Sequence, residues 1–251
     1  METEEFYIED KGIPLHIKLD MPGERKSYPL LLLFHGFTGH MEEPQLTAVR
    51  DAALHAGYAM LRADLYGHGK SGGQFKDHTI LNWMENAECI TKYAESLPAE
   101  GKPVLCGHSQ GGLLALMLAG KHPDAYSALL LLSPAISIPE DMKGGILLGE
   151  RFDPEHIPEV ITTWEDLELS GNYIRTMQAI DTYEAARNYP HRTRIIQGSA
   201  DEVIPVDYAK RIVSEFPAAE LVLIEGDDHC FDLHTDQMAS AAEDFLRSCA
   251  E

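Results

Sequence analysis

The sequence predicts an α/β layered protein with a mostly parallel sheet flanked by helices, and three observations carry that expectation. Apolar runs at 30–34, 59–63, 104–106, 128–132, 193–197 and 221–224 are short and do not alternate with polar residues, the pattern of strands buried on both faces. Segments of helical length and period lie between them, at 45–56, 81–96, 110–120, 207–216 and 236–247. The alternation of strand and helix then calls for right-handed crossovers between parallel neighbours.

Two stretches depart from the alternation. At the start, 6–9 and 15–19 flank Lys11-Gly12-Ile13-Pro14 and read as an antiparallel hairpin on the sheet edge. Between Pro134 and Tyr189 there is too much chain for one crossover; it carries Phe152, Trp164, Tyr173, Tyr183 and Tyr189 and is punctuated by Pro139, Pro154 and Pro158. The expectation is one domain over 1–251 with an inserted lid or pocket-wall subdomain at 135–189. No internal repeat, low-complexity tract or flexible linker divides it.

Composition narrows the function classes. The 251 residues hold 20 Lys and Arg against 41 Asp and Glu, a formal net charge of −21, which repels phosphate backbones and anionic lipid. Nucleic-acid and membrane partners are therefore not expected. With 44% hydrophobic residues the chain can build a core. The N-terminus has neither a basic n-region nor an apolar h-region, and no apolar run reaches membrane-span length. Cys89, Cys106, Cys230 and Cys249 show no CxxC spacing, so reduced thiols in a cytoplasm are the expectation. Monomer and homodimer stay open.

The chemistry concentrates after the strand that ends at Cys106. Gly107-His108-Ser109-Gln110-Gly111-Gly112 is a G-x-S-x-G placed between a buried strand and an apolar helix. Two glycines permit a sharp turn that leaves Ser109 strained, with its hydroxyl at a helix N-terminus. A chance match in an ordinary βα turn is the alternative, and the flanking context disfavours it. A serine nucleophile needs a base and an orienting acid further along the chain. Asp201 follows the strand ending at Gln197, and His229 the strand ending at Ile224, each where α/β sheets hold their ligands. Glu202 and His234 are the second choices. His108 is expected to be structural or pocket-lining.

The oxyanion of acyl transfer needs two backbone donors. Gln110 supplies one, and Phe37, in the His35-Gly36-Phe37 turn after 30–34, the other. Asp227, Asp228, His229, Asp232 and His234 also invite a metal site, but they share one short loop rather than a helical ligand spacing, so no metal is expected. Gly69-Lys70-Ser71 imitates the end of a P-loop, yet Asp64 occupies the position of its first glycine.

Together these residues resemble the α/β-hydrolase superfamily and, within it, the bacterial cinnamoyl (feruloyl) esterases. The matching segments are HisGlyPheThrGlyHis at 35–40, ArgAlaAspLeuTyrGlyHisGlyLysSer at 62–71, GlyHisSerGlnGlyGly at 107–112 and AspAspHisCys at 227–230. The insertion segments at 147–158 and 171–175 are similar to that esterase group in particular. The resemblance implies the α/β-hydrolase fold, no metal or organic cofactor, and a small aromatic ester as substrate. It further implies an insertion that holds the phenolic acyl group, with Trp164 as an apolar wall and Asp141 and Tyr173 bonding the distal phenol. The acid loop, GlySerAlaAsp, departs from the usual Gly-x-x-Asp followed by a second Asp or Asn.

The leading expectation is a serine carboxylesterase that cleaves hydroxycinnamate esters through an acyl-enzyme. Alternatives are an acylglycerol lipase-like or generic short-chain carboxylesterase, and a non-catalytic hydrolase-fold binding protein, which would have lost a triad member.

Overall fold

A computed structural model describes residues 2–23, 27–163 and 166–250. The chain opens with β1 (Glu2–Asp10) and β2 (Ile13–Met21), followed by β3 (Leu30–Phe34), α1 (Pro44–His55), β4 (Ala59–Ala63), α2 (Ile80–Ala94), β5 (Val104–His108), α3 (Gln110–Lys121) and β6 (Ala128–Leu132). After an inserted segment it closes with β11 (Arg192–Gly198), α7 (Val206–Ile212), β12 (Ala219–Ile224) and α8 (Thr235–Cys249). Within the inserted segment lie α4 (Ile138–Lys143), β7 (Ile146–Leu147), β8 (Glu150–Arg151), β9 (Val160–Thr162), β10 (Glu168–Ser170), α5 (Gly171–Gln178) and α6 (Thr182–Asn188).

Eight strands form the central sheet in the order β1-β2-β4-β3-β5-β6-β11-β12. The β1/β2 and β2/β4 pairs are antiparallel, and every other neighbouring pair is parallel. The hairpin register pairs Asp10 with Ile13, and Lys11 and Gly12 between them take φ 51 and φ 84. Two consecutive positive φ values make a type I′ turn, whose twist suits the hairpin. The strands therefore run further than 6–9 and 15–19.

Alternate residues of β3 enter two separate cores. Leu30, Leu32 and Phe34 pack with α2 and α3 residues such as Trp83 and Leu114, while Leu31 and Leu33 pack with α1 and α8 residues such as Val49 and Phe245. Helices on both faces explain why β3 is apolar throughout. β12 departs from that expectation. It is the sheet edge, and only Ile224 of its six residues is buried, with Leu223 40% exposed. No strand pairs with its outer edge among the described residues, and its side chains are mostly only partly covered, so an apolar run there does not signify full burial. The helix expected over 207–216 also ends early, at Ile212.

The parallel pairs place the C-terminal ends of β3, β5, β11 and β12 along one edge of the sheet. The inserted segment leaves and rejoins the sheet between β6 and β11. Its α5 contributes Tyr173, Ile174 and Met177 to the core cluster on the α2/α3 side of the sheet. No helix among the described residues is long and apolar enough to cross a membrane.

Candidate active site

Ser109 occupies the turn between β5 and α3 with φ 54 and ψ −120, a conformation that a side-chain-bearing residue adopts only at a cost of about 1–3 kcal/mol. The flanking glycines are dictated by contact. A Cβ on Gly107 would lie 2.1 Å from the Gly111 carbonyl oxygen, and one on Gly111 would lie 2.3 Å from that of Phe34. Any side chain at either position would push α3 off β3 and β5. The motif thus permits close approach of helix to sheet, and the approach sets Ser109 at the strand ends.

The loop after β11 carries Asp201, whose carboxylate is fully buried and fully engaged. Oδ1 accepts the backbone N–H groups of Val203 (2.9 Å) and Ile204 (2.8 Å). Oδ2 accepts from Gln197 Nε2 (2.6 Å) and from His229 Nδ1–H (2.8 Å). Four donors fix the orientation of the carboxylate and aim it at the imidazole. His229 follows β12, in a loop that Asp227 and Asp228 organise. Asp227 accepts the N–H groups of Asp228, Leu233 and His234, and Asp228 those of Cys230 and Asp232. These carboxylates are spent on backbone donors, and the described residues contain no group of His, Cys, Asp and Glu arranged to hold a metal ion.

Ser109 and His229 line one cavity of about 220 Å³, together with Phe37, Gln110, Ile138, Leu148 and Tyr173. The cavity also includes Glu43, whose carboxyl packs against Gly39 with Oε2 buried and unpartnered among the described residues; burial pushes its pKa up. Among the described residues, the backbone N–H groups of Phe37 and Gln110 donate to no protein acceptor, so both are free for a ligand oxygen. His108 is buried beside the site. Its Nε2 meets the His229 carbonyl oxygen at 2.9 Å, and burial holds its pKa down to about 3, which keeps the ring neutral.

The residues expected to read a phenol are not gathered in the same way. Tyr173 lines the cavity, but it is buried and its hydroxyl donates to Gln110 Oε1 at 2.8 Å rather than standing free. Asp141 lies one turn beyond Ile138 on α4, half-buried and outside the cavity lining, with its pKa raised by burial. Trp164 lies outside the described residues. Glu202 is exposed, and His234 immediately precedes α8; the Asp201–His229 pair involves neither second choice.

Gln197 and Glu43 carry no motif and went unseen in the sequence. Gln197 lies inside a strand and is recognisable only once the chain is folded, when it donates to both Asp201 and the Ile204 carbonyl (3.2 Å).

The chain is similar to known proteins. The family described as serine aminopeptidase, S33, matches residues 25–167, more than half of the chain. Est1E from Butyrivibrio proteoclasticus, solved with ferulic acid bound, superposes with a TM-score of 0.96 at 39% identity, covering 98% of this chain and 99% of that one. Among curated proteins, the rat mitochondrial palmitoyl-protein thioesterase ABHD10 is 23% identical over 80% of this chain and 69% of its own length. A monoacylglycerol lipase of Mycolicibacterium smegmatis is 28% identical over 77% and 78%. The chain belongs to the S33 family of α/β hydrolases.

Proposed function

We propose that this hydrolase is a serine carboxylesterase acting on hydroxycinnamate esters, with Ser109 as nucleophile, His229 as general base and Asp201 as its orienting partner. The observation that carries the reading is the shared cavity of Ser109 and His229, with His229 Nδ1–H already engaged by a buried carboxylate. That bond leaves the Nε2 lone pair of a neutral imidazole to take the Ser109 proton. The alkoxide attacks the ester carbonyl, and the oxyanion is received by the N–H groups of Phe37 and Gln110. His229 then returns the proton to the departing alcohol, and a water repeats the sequence on the acyl-enzyme.

The acyl preference rests on the cavity walls and on the likeness to Est1E, whose structure contains ferulic acid. Phe37, Ile138, Leu148 and the ring of Tyr173 make an apolar slot suited to a flat aromatic acid. The segment 135–189 acts as the lid subdomain. Within it Asp141 and Tyr173 bond the distal phenol; the Tyr173 hydroxyl can go on donating to Gln110 Oε1 while its oxygen accepts the phenol O–H. An acylglycerol esterase is the second reading, favoured by the Mycolicibacterium relative.

A hydrolysis panel of methyl ferulate, methyl caffeate, naphthyl butyrate and a monoacylglycerol separates the two. Higher kcat/KM on the aromatic acyl esters is expected, and preference for the monoacylglycerol favours the second reading. In Asp141→Ala with Tyr173→Phe, kcat/KM for ferulate and caffeate esters should fall relative to unsubstituted cinnamate. Equal loss on all esters removes the phenol reading.

A further inference from the structure

We propose that His35 is a positioning residue for the oxyanion hole, holding the Gly36–Phe37 peptide plane so that the Phe37 N–H points at the reacting ester. The role rests on the reading of Ser109 and the Phe37 N–H just given. His35 is fully buried at the end of β3, and each of its ring nitrogens has one partner. The Leu65 backbone N–H donates to Nε2 at 2.9 Å, so Nε2 must carry the lone pair. The proton then sits on Nδ1, which donates to the Gly36 carbonyl oxygen at 2.8 Å.

That carbonyl belongs to the same planar trans peptide as the Phe37 N–H, so the two bonds point in opposite directions. Pulling the Gly36 oxygen toward His35 turns the Phe37 hydrogen the other way. The peptide passes beside the nucleophile, since a Cβ on Gly36 would lie 3.2 Å from Ser109 Cβ. The following peptide is held as well, because His68 Nε2 meets the Phe37 carbonyl oxygen. Burial beside His68 keeps His35 neutral, which preserves the tautomer that both bonds need.

Two substitutions divide the bonds between them. In His35→Asn the amide nitrogen takes the place of Nδ1 and can still donate to Gly36, while the bond from Leu65 is lost. In His35→Gln the amide oxygen takes the place of Nε2 and can still accept from Leu65, while the bond to Gly36 is lost. The assay is hydrolysis of p-nitrophenyl butyrate, which does not depend on the acyl preference, with the melting temperature and the Ki of a trifluoromethyl ketone as parallel readouts. His35→Gln is expected to lose about 100-fold in kcat with KM little changed and to weaken the ketone by a similar factor. His35→Asn is expected to stay within about tenfold of wild type.

Equal losses in the two variants, or losses that follow the fall in melting temperature, overturn the positioning role. A long-range 1H–15N correlation on the wild-type protein tests it without any variant, and a proton on His35 Nε2 overturns it. If the wild-type chain neither hydrolyses the ester nor takes a fluorophosphonate on Ser109, the serine mechanism falls and this role with it. If labelling is normal but the two variants are alike, only the role of His35 falls.

Discussion

Replacing Asp201 by Asn removes one charge and changes one acceptor into a donor, and the structure indicates which contact breaks. The two backbone N–H groups on Oδ1, from Val203 and Ile204, are fixed by the loop, so the amide oxygen of Asn must stay there. The amide nitrogen then faces Gln197 Nε2 and His229 Nδ1 at the present separations of 2.6 and 2.8 Å. Gln197 Nε2 cannot accept, and His229 can do so only by moving its proton to Nε2. In that tautomer the imidazole has no lone pair for the Ser109 hydroxyl. The expected loss is about 10⁴ in kcat, equivalent to about 5.5 kcal/mol of barrier at roughly 1.4 kcal/mol per decade. Folding should suffer less, by about 2–4 kcal/mol for the lost charge-assisted bonds. Steady-state hydrolysis of p-nitrophenyl butyrate together with urea unfolding measures both. Retention of more than a tenth of wild-type kcat by folded Asp201→Asn would refute the tautomer argument.

Three further outcomes are expected. Gly111→Ala should destabilise by about 3 kcal/mol or more and abolish turnover, because the new Cβ would lie 2.3 and 2.4 Å from the carbonyl oxygens of Phe34 and His35; a variant that unfolds at the wild-type urea midpoint contradicts this. Acid should weaken the fold. Burial depresses the pKa of His35, and of His78 and His108 to about 3, so the unfolded chain binds protons that the folded chain does not once pH drops below about 6.5. Their stabilisation is complete above that pH and is lost as pH falls toward 3, at up to about 1.4 kcal/mol per pH unit for each ring, while the raised pKa values of Glu43 and Asp141 act in the opposite sense. A urea midpoint unchanged between pH 7 and pH 5 would count against buried neutral histidines. Chelation by EDTA should leave turnover unaltered, because Asp227 and Asp228 are engaged by backbone donors; loss on chelation with recovery on adding a divalent ion would revive a metal role for the 227–234 loop.

Much of the architecture is legible in the sequence because its causes are local. A strand covered on both faces must be apolar except where a buried polar group finds a partner, as Arg62 of β4 does in Asp20, and 30–34, 59–63 and 128–132 match β3, β4 and β6 residue for residue. Gly107 and Gly111 are equally readable, since close approach of helix to strand admits no side chain. The family follows from these short motifs. Where neighbours distant in the chain decide the outcome, sequence alone says little. The exposure of Leu223 depends on β12 having no strand beyond it. The hydroxyl of Tyr173 is committed to Gln110, 63 positions away, by the docking of α5 over the elbow. The chemical state of His35 likewise follows from a backbone N–H at Leu65, thirty residues on, which the folding of the loop after β4 brings to its ring. Residue types and their order establish which groups are available to the site, but hydrogen-bond partners, tautomers and burial are properties of pairs, and only the tertiary structure decides which pairs form.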